Sequence, residues 1–173
     1  MQHMKKILIL LNVIFILFAC NNQKSESEYS DYFYKIVNSE NWHLRGIEIG
    51  DRIDSVKTAE TSRLVKETKE LLYYESKLND SDYLNISYYF DKSLLYEIRF
   101  DINITNRANA NLLYQNLNVF LNKQLGQKNR IESYDIWKTK NDFSQKIEIA
   151  ISKDTSETSS TKLFLSVVDY DYK

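Results

Sequence analysis

From position 84 to 100 apolar side chains recur at every second residue, first Leu84, Ile86, Tyr88 and Phe90, then Leu94, Tyr96, Ile98 and Phe100. Successive side chains of a strand point to opposite faces. The spacing therefore predicts two strands folded back at 91–93, with all eight side chains on one face. The opposite face, Asn85, Ser87, Glu97 and Arg99, is polar, as in an antiparallel sheet wetted on one side. Burying each large apolar side chain contributes about 1.5–3 kcal/mol, so the apolar face requires a helical cover.

Helical spacing supplies that cover. Tyr29, Tyr32, Phe33, Ile36 and Val37 follow i, i+3, i+4, i+7, i+8 and predict an amphipathic helix ended by 39–41. Ile47 and Ile49 read as extended, Gly50 as a turn, and Asp51 as the N-cap of a helix turning Ile53, Val56 and Ala59 inward. Asn106 precedes a longer apolar stripe of Ala110, Leu113, Leu117, Phe120, Leu121 and Leu125, stopped by Gly126. Residues 134–139, 143–151 and 162–170 read as strands, with the Ser/Thr-rich 152–161 as the connecting loop. This order predicts an α+β domain over 29–173, with helices packed on an antiparallel β-sheet. The elements form two α-β-β-β repeats, about 46–104 and 105–173, in one continuous layer.

The first 28 residues belong to another category. Met4-Lys5-Lys6 is a basic head, and 7–19 is an apolar run too short for a spanning helix, which needs about 20 residues. It closes on Leu17-Phe18-Ala19-Cys20 followed by Asn21-Asn22. This resembles the lipobox of bacterial lipoproteins, although Phe18 is bulkier than that family usually places there. The resemblance implies a signal peptide over 1–19, lipidation of Cys20 (palmitate or a related acyl chain) and a tether over 20–28. A plain signal peptide, or a buried apolar segment with a chance cysteine, is the alternative. Several acyl chains at about 0.8 kcal/mol per buried CH₂ would anchor a protein stably. Residues 23–28, QKSESE, are similar to the tags of surface-directed Bacteroidota lipoproteins, and an untargeted solvated linker reads the same way. The implied location is the outer membrane, lipid-anchored, on its periplasmic face or the cell surface.

A second resemblance lies in Gly46-Ile47-Glu48-Ile49-Gly50-Asp51 followed five residues later by Val56. It is similar to the opening of small envelope lipoproteins of the BamE/SmpA-like group and of the β-lactamase-inhibitor-protein-like fold. The aromatic strand segments 72–74 and 88–91 fit the same order. The likeness covers about 60 residues. It implies a helical opening followed by three or four antiparallel strands. The helix stop of that group, Leu-Gly-x-Pro, is replaced here by Thr61-Ser62-Arg63-Leu64.

Composition narrows the chemistry. Removing Lys5 and Lys6 from 23 basic residues leaves 21 against 24 acidic ones, a net charge of −3. That gives no electrostatic footprint for nucleic acid. One cysteine forms no disulfide framework and no CxxC zinc site, and His43 has no cysteine or histidine beside it to make a dyad or ligand set. Asp51 with Asp54 reads as helix-start chemistry, and Asp80-Ser81-Asp82 as a turn. No phosphate loop or Gly-x-Ser-x-Gly elbow is present. The expectation is a non-enzyme without cofactor or metal. Its partner would be another envelope or secreted protein, with the membrane reached through the anchor. Tyr and Trp are enriched at binding hot spots, which makes Trp42, Tyr73, Tyr83, Tyr89 and Trp137 the candidate contact residues; their alternative role is core filling. The asparagines of the long helix (Asn109, Asn111, Asn116, Asn118, Asn122) form a carboxylate-free face and a second candidate surface. A glycan or small-molecule binder using exposed aromatics is the alternative function.

Overall fold

The computed structural model describes residues 28–37, 43–157 and 159–172. The expectations for the signal peptide, Cys20, most of the tether and Trp42 fall outside these residues. Eight antiparallel strands form one sheet: β1 (Arg63–Glu67), β2 (Leu71–Lys77), β3 (Tyr83–Asp91), β4 (Leu94–Ile104), β5 (Asn129–Ile131), β6 (Tyr134–Lys140), β7 (Lys146–Asp154) and β8 (Thr161–Asp169). Their spatial order is β1-β2-β3-β4-β8-β7-β6-β5. The last strands of the two meanders, β4 and β8, therefore meet at the centre, paired from Glu97↔Val168 to Ile104↔Thr161. Among the described residues three helices accompany the sheet: α1 (Asp31–Ile36), α2 (Ile53–Ala59) and α3 (Arg107–Leu125), with a 3-10 turn at Leu44–Gly46.

The expected pair of α-β-β-β repeats is overturned. Each half contributes four strands, and the helices are unequal, 7 residues in α2 against 19 in α3. The molecule is dominated by its sheet. The added strands, β1 and β5, are the two edges, and every residue in them is exposed. An edge strand with no buried face shows no period-two alternation, so neither β1 nor β5 stands out in the sequence.

The β3–β4 hairpin shows a second departure. Lys92 and Ser93, at φ 48° and 68°, make its two-residue turn. A β-bulge then shifts the register, because Tyr89 pairs with Glu97 while Phe90 pairs with Leu95. Tyr96 is the extra residue. The bulge puts Leu95 into the core in place of Leu94, which is exposed, and Tyr96, which is only half-buried. The other six predicted side chains are buried.

α3 lies over the strands, α1 packs against α3, and α2 contributes Val56 to the same core. Asn106 caps α3 by accepting from the Ala108 and Asn109 N–H groups at 2.9 and 3.2 Å. Its inward stripe of Ala110, Leu113, Leu117, Phe120 and Leu121 is buried over β4, β6 and β8. Phe33 of α1 packs edge-on against Phe120 at 5.3 Å. Ser30, the α1 N-cap, donates its N–H to Asn116 of α3 at 2.9 Å. Asp51 does not cap α2. Its carboxylate accepts the Glu48 N–H at 2.9 Å and closes the turn at Gly50, whose φ is 97°. Of the side chains expected to face inward there, Val56 is buried and Ala59 is exposed.

Candidate functional site

Among the described residues no helix covers the opposite face of the sheet, which stands open. Strand register fixes its layout. Tyr73 of β2, Ser87 of β3, Arg99 of β4, Ser166 of β8, Ala150 of β7 and Ile136 of β6 form one row across the sheet. On one side of it run Tyr89, Glu97, Val168, Glu148 and Lys138. On the other run Asn85, Asp101, Phe164, Ser152 and Tyr134. Ser166 and Ala150 of the middle row, with the larger Tyr89, Tyr134 and Phe164 beside them, leave a shallow depression of about 430 Å³, also lined by Arg99 and Asp101. A second depression, about 630 Å³, lies towards β1 beside Tyr83, Arg63 and Glu75.

Arg99 is held in place within this face. Its guanidinium donates from Nε and Nη2 to the Glu97 carboxylate at 2.5 and 3.1 Å and lies 5.0 Å from the centre of the Tyr89 ring. Desolvation raises the Asp101 carboxyl above its ordinary value, and the Arg99 charge offsets part of that. Desolvation, followed by nearby acidic groups, also raises the Tyr73 hydroxyl; for Tyr96, Tyr172 contributes before Glu97. Both phenols therefore remain hydrogen-bond donors at neutral pH. At one end the chain turns back after β8, and Tyr172 stacks on Tyr96 with ring centres 3.8 Å apart. Lys138 sits 4.2 Å from the centre of the Tyr170 ring.

Tyr73, Tyr83 and Tyr89 all belong to this open face, Tyr83 at 45% exposure. Trp137 does not. It lies on the helix-covered face at 1% exposure and donates from Nε1 to Asn122 of α3 at 3.0 Å, so its role is core packing. The face also contains Tyr134 (44% exposed) and Phe164 (38%), neither of them among the candidate contact residues of the sequence. A signal for Phe164 exists: Leu163, Leu165 and Val167 hold the core phase of β8, and Phe164 is the aromatic on the opposite, polar phase.

The asparagine face of α3 has a different fate. Asn116 accepts from Ser30, Asn122 from Trp137 and Asn111 from Lys153 at 2.8 Å; Asn118 donates to the Tyr114 carbonyl at 2.9 Å and accepts from Lys128. Four of the five thus fasten the helix to its surroundings, and the reading of this face as a docking surface is withdrawn. Beside Asn118, Asp135 is buried under α3. It receives the Tyr114 hydroxyl and the Lys128 ammonium, the latter at 2.6 Å. Burial pulls its carboxyl upward, but these bonds outweigh it and hold the group below its ordinary value. Asp82 is more than a turn residue. Buried, it accepts from Tyr32, Asn79 and both the N–H and hydroxyl of Thr105, all between 2.6 and 2.9 Å, and so joins α1, the β2–β3 loop and the end of β4.

No protein-family model, curated protein or solved structure matches the chain. The family likenesses at 17–20 and 46–57 therefore rest on those residues alone. Among the described residues no three His, Cys, Asp or Glu side chains gather into a metal-sized group, and no helix is long and apolar enough to cross a membrane.

Proposed function

We propose that this chain is a lipid-anchored, non-catalytic envelope protein that binds another envelope or secreted protein through the open face of its sheet, as an inhibitor or immunity protein would. The observation that carries the reading is the uncovered face itself. Six strands about 4.8 Å apart and roughly eight residues long at about 3.3 Å each present roughly 700 Å². A standard protein–protein interface takes about 800 Å² from each partner. Aromatic side chains and a braced arginine at the centre of such an area are the composition of binding hot spots.

The depression has the volume of a ligand site, which favours a glycan or small molecule as the second reading. Its shape favours the first. Tyr89 and Phe164 lie two strands and about four residues apart in register, which separates them by roughly 16 Å. A small ligand needs most of its surface enclosed, and a saucer this wide encloses little of it.

The test recovers the acylated protein from its native envelope, as wild type and as a Tyr134→Asp/Phe164→Asp variant. Both substituted side chains are well exposed, so the fold is retained. A single partner recovered in stoichiometric amount with wild type and lost with the variant supports the proposal. Equal recovery by both, or turnover of an envelope polymer by the pure soluble domain, refutes it.

A further inference from the structure

The helix-covered side carries its own exposed apolar side chains. Leu112 and Val119 of α3 are 46% and 55% exposed and, seven residues apart, share one stripe of the helix. Tyr34 of α1 is also exposed, and its ring meets those of Tyr29 and Phe33, which in turn meet Phe120 of α3. The 19 residues of α3 contain no carboxylate; their charges are Arg107 and Lys123. Asp31 of α1 lies beside Leu112, Glu28 is paired with Lys123 at 3.3 Å, and Asp135 is buried beneath the helix.

The described chain begins at this place. Glu28 and Tyr29 lie against Lys123 and Phe120, on the helix side and away from the open sheet face. Seven residues lie between Cys20 and Glu28, and the eight Cα-to-Cα steps they span reach at most about 29 Å fully extended. A domain of this length has a radius of gyration of about 15 Å, so half its circumference is roughly 60 Å. A chain that leaves from the helix side on a leash of this length brings that side to the bilayer by a shorter path than the open sheet face.

We propose that the outward stripe of α3, Leu112 and Val119 with Tyr34 of α1, rests on the phospholipid surface to which the chain is tethered. This rests on the lipid-anchor reading given above. The stripe fits that occupant chemically: apolar side chains enter the headgroup boundary, and a helix with two cations and no carboxylate does not repel anionic lipid. Contact on this side leaves the open sheet face turned to the aqueous phase, where a partner protein arrives.

The full-length acylated protein is reconstituted into vesicles of phosphatidylethanolamine and phosphatidylglycerol. A fluorophore is placed through Val119→Cys, Leu112→Cys or, as the distal control, Phe164→Cys; the native thiol of Cys20 is blocked by its acyl chain. The expected result is severalfold stronger quenching by lipid-borne doxyl groups at 119 and 112 than at 164. Vesicle-bound protein quenched equally at all positions, or more at 164, overturns the proposal and leaves the anchor standing. Protection of 119 that rises with protein concentration in detergent, without lipid quenching, assigns the stripe to a second copy and also overturns it. Protein that fails to float with the vesicles sinks the anchor reading and this inference with it.

Discussion

Glu60 is the carboxylate on which the lower half of the core is hung. It lies just past α2, buried, and receives Arg45 at 2.6 and 2.7 Å, the Tyr88 hydroxyl at 2.6 Å and the Ser62 N–H at 2.7 Å. Burial alone would raise its carboxyl, but these bonds prevail and hold it at about 2. Burial pushes the Tyr88 hydroxyl well above its ordinary value, so it donates and does not ionise. Arg45 also donates to the Lys35 carbonyl at 2.6 Å, from a backbone held at φ 62°. Removing one member of a buried ion pair costs about 3–5 kcal/mol, and Glu60→Gln is expected to cost in that range at pH 7 by urea unfolding. The pH dependence has a definite sign. A carboxyl depressed in the fold stabilises above its unfolded value, near 4.3, and that stability is lost as pH falls towards about 2. The wild-type midpoint should therefore drop across this window, and Glu60→Gln should flatten the drop. Trp137→Ala, which empties a core site, should cost about 3–5 kcal/mol in the same assay.

At the scale of elements, Asn106 and the two edges make the clearest expectations. Asn106→Ala removes both capping bonds of α3 and should lower stability by about 1 kcal/mol, read as a lower melting temperature with helix content retained. Hydrogen exchange should be slowest in β4 and β8, which are paired on both sides, and fastest in β1 and β5, which are exposed along one edge. The same contrast explains what could be read from sequence. Where one face is buried, as at 84–90 or 147–151, alternation is visible. The α3 stripe is visible for the same reason, between its Asn106 cap and Gly126 stop. The bulge at Tyr96 is not visible, because Leu94, Leu95 and Tyr96 offer apolar side chains in either phase and only the pairing with β3 chooses between them. Asn111, Asn116 and Asn122 look like a solvated face in sequence. Their partners, Lys153, Ser30 and Trp137, are distant in the chain and meet them only in the fold. Of the candidate contact residues, the tyrosines at 73, 83 and 89 occupy the polar phase of their strands and Trp137 the core phase, a distinction that required the register of β6 with β7.

The described residues form a sheet with two unlike sides, one covered by helices and one open. Glu28 and Tyr29 lie on the covered side. Under the proposed function, a body tethered this way would present the open side to whatever approaches through water, and its work would be contact across the rows around Arg99. The most direct test places a photo-crosslinking side chain in the native envelope at 134, 164 or 166 on the open face and at 112 or 119 on the helix side. The account predicts one discrete protein adduct from the open-face positions and none from the helix side. Protein adducts confined to 112 and 119, with 134, 164 and 166 silent, would contradict it.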